Sequence, residues 1–250
     1  MDINELKGSL LRMKLTTILD HLEEVSETAG KESWSYGRYL FELVSLEQQS
    51  RWERKVKMLL RESKLPWGKT FSTLDRSRFP RGLNQQIDAL VEGSFLDRCE
   101  NVLAFGNPGS GKTHIICAIG HEMVLQGKKV LFKDCEMLVQ ELLNAKRRFE
   151  LPQFLKKLRK FQALIIDDIG YVQQSREEME VLFTLLADRY EKNSTLITSN
   201  LPFSEWEKIF KDPMTTAAAI DRVVHHSMIL ELNLPSYRLE HAKKEKHNDH

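Results

Sequence analysis

Short apolar runs alternate with helix-like stretches from residue 83 onward in this 250-residue chain. The runs are rich in Val, Ile and Leu and short, which is typical of strands that are buried on both faces. They are VLAF at 102–105, VLF at 130–132, ALIID at 163–167, TLITS at 195–199 and MILEL at 228–232. This alternation predicts an α/β fold with a five-stranded parallel sheet covered by helices.

A glycine-rich loop follows the first apolar run. Residues 106–113 read GNPGSGKT and match G-x-x-x-x-G-K-[S/T], with a strand before them and a helix-like stretch after, which is the context that the pattern requires. Glycines let backbone N–H groups converge on phosphate oxygens, and a helix N-terminus adds partial positive charge. The loop therefore predicts a site for a nucleoside triphosphate, with nucleotide contacts from Gly106, Asn107, Pro108, Gly109, Ser110, Gly111, Lys112, Thr113 and His114.

A bound triphosphate needs Mg²⁺ and groups that hold it. We expect Lys112 to neutralise the β- and γ-phosphates and the Thr113 hydroxyl to ligate Mg²⁺. Asp167 and Asp168 end a buried run, at the carboxyl edge of the predicted sheet. Two aspartates at a strand end can also be turn residues. Beside the phosphate loop we favour Asp167 as the second Mg²⁺ ligand and Asp168 as the residue that polarises an attacking water.

The residue pattern of the first 66 residues predicts helices. Apolar residues spaced by three and four predict one amphipathic helix from Ile3 to about Val25, and a second helix is expected from Tyr36 to Ser63. Residues 67–82 mix Pro, Gly, Ser and Thr and predict a linker. The expected domains are a small all-helical N-terminal domain at 1–66, a nucleotide-binding domain at 67–240 and a disordered tail at 241–250.

Composition limits the classes of protein. No stretch approaches the roughly 20 apolar residues of a membrane span, and the first residues lack a secretory signal, which predicts a cytoplasmic protein without a membrane partner. The three cysteines form no C-x-x-C pair, so neither a disulfide framework nor a zinc ribbon is indicated. The formal net charge of +1 averages over local basic runs.

Two basic runs indicate a nucleic-acid partner. Residues 48–69 hold seven basic residues against two acidic ones, and residues 146–160 hold seven against one. A solvated helix face explains either run alone as well; both runs together favour DNA, contacted through phosphates and largely independent of base sequence. The predicted DNA contacts are Arg51, Arg54, Lys55, Lys57, Arg61, Lys64, Arg147, Arg148, Lys156 and Lys157.

Five motifs in order carry a resemblance to a known family. The segments GNPGSGKTH, LIIDDIGY, TLITSN, DRVVHHS and PSYR resemble AAA+ ATPases of the IstB family, helper proteins of insertion-sequence transposition related to the helicase loader DnaC. The similarity runs from about residue 5 to 240. It implies an AAA+ P-loop NTPase fold in which the strand TLITS lies between the phosphate-loop strand and the acid-bearing strand.

The resemblance also implies roles for four polar residues. Asn200 would be the sensor of the γ-phosphate or of the attacking water, Arg222 the arginine finger that completes a neighbouring subunit's site, and Arg238 the second sensor. Arg189 is a rival for the finger. Asp168 stands where a glutamate is usual, which predicts slow, partner-stimulated ATP hydrolysis.

Three functions are compatible with these features. The first is a DNA-binding ATPase that forms a homo-oligomer, ring or spiral, on duplex DNA and recruits a transposase. The second is a DnaC-like loader that grips a replicative helicase and single-stranded DNA. The third, a small-molecule phosphotransferase, is disfavoured because a packed amphipathic helix, rather than an arginine-rich lid, follows Asp168.

Overall fold

The computed structural model describes residues 3–170, 175–202, 205–206, 217, 220–221 and 223–237. These residues divide into two compact units between Met58 and Leu59, earlier in the chain than the predicted domain boundary at 66/67. Within the described ranges, no helix combines the length and apolar character that a membrane crossing requires. The predicted disordered tail at 241–250 lies outside the described residues.

The first unit is built from helices. Helix α1 covers Ile3–Arg12, α2 covers Thr16–Lys31, and α3 begins in this unit and covers Tyr36–Ser63. The bounds of α3 confirm the prediction. Apolar side chains from all three helices form one small core, whose buried members are Leu10, Ile18, Leu22, Val25 and Leu43.

The prediction of a single helix from Ile3 to Val25 is wrong. The chain turns at Lys14, whose φ of +56° is left-handed, and the amide of Leu15 donates to the carbonyl of Leu10 at 2.9 Å. A left-handed residue with such a bond ends a helix. Apolar spacing did not reveal this break because the apolar face continues across the turn into α2.

A buried glutamate on α3 caps the start of α2. Glu47 Oε2 accepts hydrogen bonds from the amides of Thr17 at 2.9 Å and Ile18 at 3.3 Å, and Oε1 accepts from Arg51 Nε at 2.7 Å. Burial opposes ionisation of this carboxyl, but the bonds from Arg51, Ile18 and Thr17 outweigh it and lower the pKa of Glu47. The carboxylate thus satisfies amides that a helix N-terminus otherwise leaves unpaired.

The second unit contains a parallel sheet. Its strands are β1 (Asn101–Gly106), β2 (Val130–Asp134), β3 (Ala163–Ile169), β4 (Ser194–Ser199) and β5 (Ser227–Leu232). The strand order is β2-β3-β4-β1-β5, and every pairing is parallel. The five-stranded parallel sheet and the position of TLITS between the loop strand and the acid-bearing strand are both confirmed.

Helices cover both faces of this sheet. The helices are α4 (Arg81–Val91), α5 (Ser94–Asp97), α6 (Lys112–Leu125), α7 (Cys135–Arg147), α8 (Leu151–Leu158) and α9 (Arg176–Arg189). Alternate strand residues point to opposite sides. Accordingly Leu164 and Ile166 join a core with α7 and α9, while Ala163 and Ile165 join another with α4 and α6. Two-sided burial explains why the strands read as continuous apolar runs.

The parallel arrangement collects all strand ends at one edge. Gly106, Asp167 and Ser199 lie at or near the carboxyl ends of β1, β3 and β4, which are neighbours in the sheet. In an open parallel sheet, this edge is where ligands bind.

We expect Glu47→Gln to loosen the first turn of α2. The amide side chain accepts weaker hydrogen bonds than a carboxylate and cannot pair with Arg51, which should cost about 1 kcal/mol. Hydrogen–deuterium exchange at residues 16–20 should then be about fivefold faster than in the wild type.

Glu42→Gln is the matched control because Glu42 lies on the same helix and is exposed. The lowered pKa of Glu47 sets the pH dependence: its stabilisation is present above the unfolded pKa and lost as the pH falls through the folded pKa. The difference between wild type and variant should therefore disappear in acid; a difference that persists there would contradict the assignment.

Candidate nucleotide-binding site

The loop between β1 and α6 requires glycine at two positions. Gly106 has a φ of +148° and Gly109 a φ of +79°, both in the region that favours glycine. A Cβ on Gly106 would lie 2.2 Å from the carbonyl oxygen of Leu232, and one on Gly109 would lie 2.2 Å from Ser236 Oγ. The loop can follow this path only with bare backbone, which leaves its amides accessible to an anion.

Two side chains of the loop fit a phosphate group. Lys112 Nζ donates to the carbonyl oxygens of Gly106 at 2.7 Å and Asn107 at 3.0 Å, which holds the ammonium at the loop. Ser110 Oγ is buried without a hydrogen-bond partner in the described part of the chain. Because buried hydroxyls are nearly always hydrogen-bonded, the orphaned Ser110 Oγ suits a ligand oxygen.

Asp167 lies at the centre of a buried polar cluster. Its Oδ1 accepts a hydrogen bond from Thr198 Oγ1 at 2.6 Å, and its carboxylate is also bonded to the Thr113 side chain. Burial raises the pKa of the Asp167 carboxyl, although the bonds from Thr198 and Thr113 act in the opposite direction. A raised pKa indicates a carboxylate with too little positive charge nearby, which a divalent cation would supply.

Asp167 and Thr113 fit a Mg²⁺ ion that is completed by phosphate. The side chains of Asp167 and Thr113 are hydrogen-bonded to each other, and adjacent oxygen ligands of an octahedral ion lie similarly close together. Across the described residues, no group of three or more His, Cys, Asp or Glu side chains could hold a metal alone. This donor set suits Mg²⁺, which is commonly bound by one or two carboxylates together with substrate phosphates.

Asp168 lies at an irregularity in β3 and lines a cavity beside the phosphate loop. The register with β4 shifts between Ile166 and Ile169, and Asp168 has a left-handed φ of +59°. Its amide donates to Thr198 Oγ1 at 2.9 Å, while its exposed side chain lines the cavity together with Asn200. The bulge therefore directs two successive aspartates to different places, one buried beside Thr113 and one facing a ligand.

Residues 67–80, called the strap below, form one wall of this cavity. The cavity has a volume of about 440 Å³, and its strap residues are Lys69, Thr73, Leu74, Asp75, Arg78 and Phe79. His114 fastens the strap to α6, because its Nε2 lies 3.0 Å from the carbonyl oxygen of Thr70 and 3.1 Å from Thr73 Oγ1. This role could not be read from the sequence, since the composition of the strap is that of any linker.

The segment after β5 closes the loop from the other side. The amide of Tyr237 donates to the carbonyl of Gly109 at 3.0 Å. Arg78 of the strap donates to the carbonyl of Pro235 at 3.1 Å, and its guanidinium lies 5.0 Å from the centre of the Tyr237 ring. Tyr237 also lines the cavity. The sequence motif PSYR predicted a role for Arg238 only and did not predict that Tyr237 lines the cavity.

Comparison with known sequences places the chain in a family. A family model described as "IstB-like ATP binding protein" matches residues 8–245. The chain belongs to this IstB-like family. An insertion sequence ATP-binding protein of Sinorhizobium fredii is 40% identical over 235 residues, which cover 94% of this chain and 79% of that protein. The IS21 ATP-binding protein of Pseudomonas aeruginosa is 36% identical over 243 residues, covering 97% and 91%.

Known structures show the fold of this IstB-like chain. The crystal structure of the DnaC helicase loader matches with a TM-score of 0.58 and 19% identity, covering 67% of this chain and 98% of that one. AMPPCP-bound DnaA from Aquifex aeolicus matches with a TM-score of 0.55 and 16% identity, covering 75% and 56%. The fold is that of an AAA+ P-loop NTPase, as the resemblance implied.

Arg189 is a structural residue of the IstB-like chain. Its side chain is 1% exposed and donates to the hydroxyl of Thr195 and to the carbonyls of Leu158, Phe161 and Ser194. Burial lowers the pKa of Arg189 to about 10. A guanidinium enclosed in this way cannot reach a neighbouring subunit. Arg222, the predicted arginine finger, and Arg238, the predicted second sensor, lie outside the described residues. Their roles stay predictions.

The ten predicted DNA contacts are all exposed. Arg51 and Arg54 share the carboxylate of Glu47, at 2.7 and 3.5 Å, and so have a structural role too. Trp52, which lies between these two arginines in α3, is 45% exposed. In the second run, Lys146 is paired with Glu180 and Arg159 with Asp188. The other eight predicted contacts make no ion pair in the described part of the chain; they are Lys55, Lys57, Arg61, Lys64, Arg147, Arg148, Lys156 and Lys157.

We expect Thr198→Val to damage this site without changing its shape. The variant loses the hydroxyl that donates to Asp167 and accepts from the amide of Asp168, so that two buried polar groups lose a partner. The free energy of unfolding should fall by about 1–3 kcal/mol. The Mg²⁺ concentration that half-saturates nucleotide binding should rise severalfold, measured by titration with a fluorescent ATP analogue.

Thr184→Val is the control for a lost hydroxyl, since Thr184 Oγ1 donates to the carbonyl of Glu180 within α9 at 2.7 Å. This variant should bind Mg²⁺ and nucleotide as the wild type does. Equal behaviour of the two variants in the Mg²⁺ titration would mean that Thr198 has no part in the metal site.

Proposed function

We propose that this IstB-like chain is an ATP-dependent DNA-binding ATPase that assembles on duplex target DNA and recruits or regulates a transposase there. The observation that carries the proposal is that the same compact unit holds a cavity beside the phosphate loop and a group of surface cations that make no ion pair with any described residue. The cations are Arg147, Arg148, Lys156 and Lys157. Such a unit can couple nucleotide binding to contact with a polyanion. The relatives are ATP-binding proteins of insertion sequences, which supports the transposition context.

The proposed hydrolysis follows from the positions of the polar groups. Lys112 and the loop amides bind the phosphates, and Thr113 and Asp167 hold Mg²⁺, which when bound neutralises phosphate charge. Asp168 accepts a hydrogen bond from the attacking water, and Asn200 orients that water or contacts the terminal phosphate. The carboxylate of Asp168 is one methylene shorter than a glutamate's, so we expect a slow basal rate that DNA or the transposase stimulates.

A homo-oligomer, ring or spiral, would complete this site. Arg222 is proposed to enter the site of the next subunit, where a guanidinium stabilises charge on the transferring phosphoryl group. Arg238 is proposed to contact the nucleotide of its own subunit. The burial of Arg189 supports Arg222 as the residue that acts between subunits, since Arg189 is bonded within its own chain.

The DNA contact is proposed to be largely independent of base sequence. The candidate residues are lysines and arginines at the surface, and such residues bind chiefly to phosphates, which carry no sequence information. The affinity should therefore fall steeply with salt concentration.

The alternative is a helicase loader that acts on single-stranded DNA. It is favoured by one specific observation: the fold of this chain spans 98% of the DnaC helicase loader structure. Both functions use the same nucleotide site. They differ in the nucleic acid that is bound more tightly and in the partner protein.

We expect assembly to require both Lys112 and Arg222. With ATP and duplex DNA in excess, the wild type should form oligomers, detectable by analytical ultracentrifugation. Lys112→Ala should bind ATP at least about 10-fold more weakly and fail to assemble, because the phosphates lose a charged contact. Arg222→Ala should bind ATP normally, fail to assemble and lose stimulated hydrolysis by a factor of about 10³.

A wild type that stays a single subunit under these conditions would refute the proposed assembly. Normal assembly of Arg222→Ala, combined with failure of Lys112→Ala, would remove the role of Arg222 and leave nucleotide-dependent assembly standing.

We expect Arg148→Gln combined with Lys157→Gln to weaken duplex DNA binding. The slope of log affinity against log salt concentration is negative, and each lost phosphate contact should make it shallower by about 0.9. Arg159→Gln is the control from the same run, since Arg159 Nε is already bonded to Asp188 at 2.8 Å. Fluorescence anisotropy with duplex and single-stranded probes of equal length measures these affinities.

The same anisotropy assay separates the two functions. Tighter binding to duplex DNA supports the transposition helper, and tighter binding to single strands supports the loader. An unchanged salt slope in the double variant would exclude Arg148 and Lys157 as DNA contacts.

A further inference from the structure

Lys69 is a second lysine of the nucleotide cavity that no phosphate-loop motif includes. It belongs to the strap and lines the same cavity as Lys112, Thr113, Asp168 and Asn200. In the sequence it is merely the last member of the first basic run. Its place in the structure separates it from that run, because the other members are exposed whereas Lys69 is half-buried.

The backbone that carries Lys69 is fixed to α6. The amide of Lys69 donates to the carbonyl of Pro66 at 3.2 Å, and that carbonyl in turn lies 3.1 Å from His121 Nε2. Leu65 is buried against Gly120, where a Cβ would lie 3.1 Å from the nearer Leu65 methyl. His114 holds the next residue, Thr70, at 3.0 Å. Contacts on both sides of Lys69 thus attach its backbone to α6, the helix that begins at the phosphate loop.

The side chain of Lys69 makes no hydrogen bond and no ion pair in the described part of the chain. Two other lysines of this unit are paired, Lys128 with Asp97 and Lys133 with Glu141. A half-buried lysine that lines a cavity can direct its three N–H donors at an anion there.

Lys69 shares the cavity with Asp168 and Asn200, the two residues proposed to act at the terminal phosphate. Thr113, a proposed Mg²⁺ ligand, lines the cavity as well. An anion bound among these groups corresponds to the terminal phosphate of a triphosphate.

We propose that Lys69 binds the terminal phosphate of ATP from the strap and thereby distinguishes ATP from ADP. This inference rests on the proposed ATP-binding function. The first lysine, Lys112, is held at the loop by carbonyl oxygens, whereas Lys69 approaches from a separate chain segment. The strap consequently becomes part of the nucleotide sensor, since its position depends on whether a third phosphate is present.

The test compares the affinities for a non-hydrolysable triphosphate and for ADP, both with Mg²⁺, in the full-length protein. Isothermal titration calorimetry with AMPPNP should show binding to Lys69→Gln weakened by about 10-fold or more, the effect of one charge-assisted hydrogen bond. ADP affinity should stay within about twofold of the wild type. Lys69→Arg should recover part of the loss because it keeps the charge.

Lys129→Gln is the control, since Lys129 is an exposed lysine of the same unit. Equal weakening of AMPPNP and ADP, or no weakening of either, would overturn the inference. An unchanged melting temperature of Lys69→Gln excludes a merely structural effect. If the wild type binds neither nucleotide, the proposed function itself fails; if it binds both and Lys69→Gln does not discriminate, only the role of Lys69 fails.

Discussion

The hydrogen bond between Thr198 and Asp167 is the interaction on which the site depends. It joins the ends of β3 and β4 at 2.6 Å, and the bond of Asp167 to Thr113 extends the connection to the first turn of α6. A buried carboxylate is costly unless its oxygens have donors. One of the two donors here, Thr113, is also a proposed Mg²⁺ ligand. The need to satisfy Asp167 therefore keeps the two proposed Mg²⁺ ligands, Asp167 and Thr113, together before any ligand arrives.

The strand order brings further segments of the chain together around this cluster to form the cavity. Because β4 lies between β1 and β3, Asn200 follows a strand that is adjacent to both the loop strand and the acid-bearing strand. The pairing of β1 with β5 brings the segment of Tyr237 against Gly109. Close packing at this point is also the reason that Gly106 and Gly109 tolerate no side chain. The shape of the phosphate loop, the position of Asn200 and the contact of the segment after β5 with the loop thus all follow from the strand order.

Much of this could be predicted from the sequence, because the elements concerned obey local rules. Continuous apolar runs indicate buried parallel strands, and GNPGSGKT requires a particular backbone. The strap, Thr198 and Tyr237 were missed since their roles depend on contacts between distant segments. Thr198, a polar residue inside the buried run TLITS, could have indicated a side chain that makes a buried hydrogen bond. The helix break at Lys14 was missed because apolar spacing reports which face is buried and carries little information about where the chain turns.

The two lysines of the cavity illustrate how a site acquires properties beyond its motif. Lys112 is bonded to carbonyl oxygens of the loop that it follows, so its position is determined by local sequence. Lys69 reaches the cavity only because His114 and His121 attach the strap to α6. A motif of eight residues can provide phosphate binding, but distinguishing two phosphates from three requires a group at the outer end of the anion. In this chain that group comes from the segment that the sequence presents as a linker.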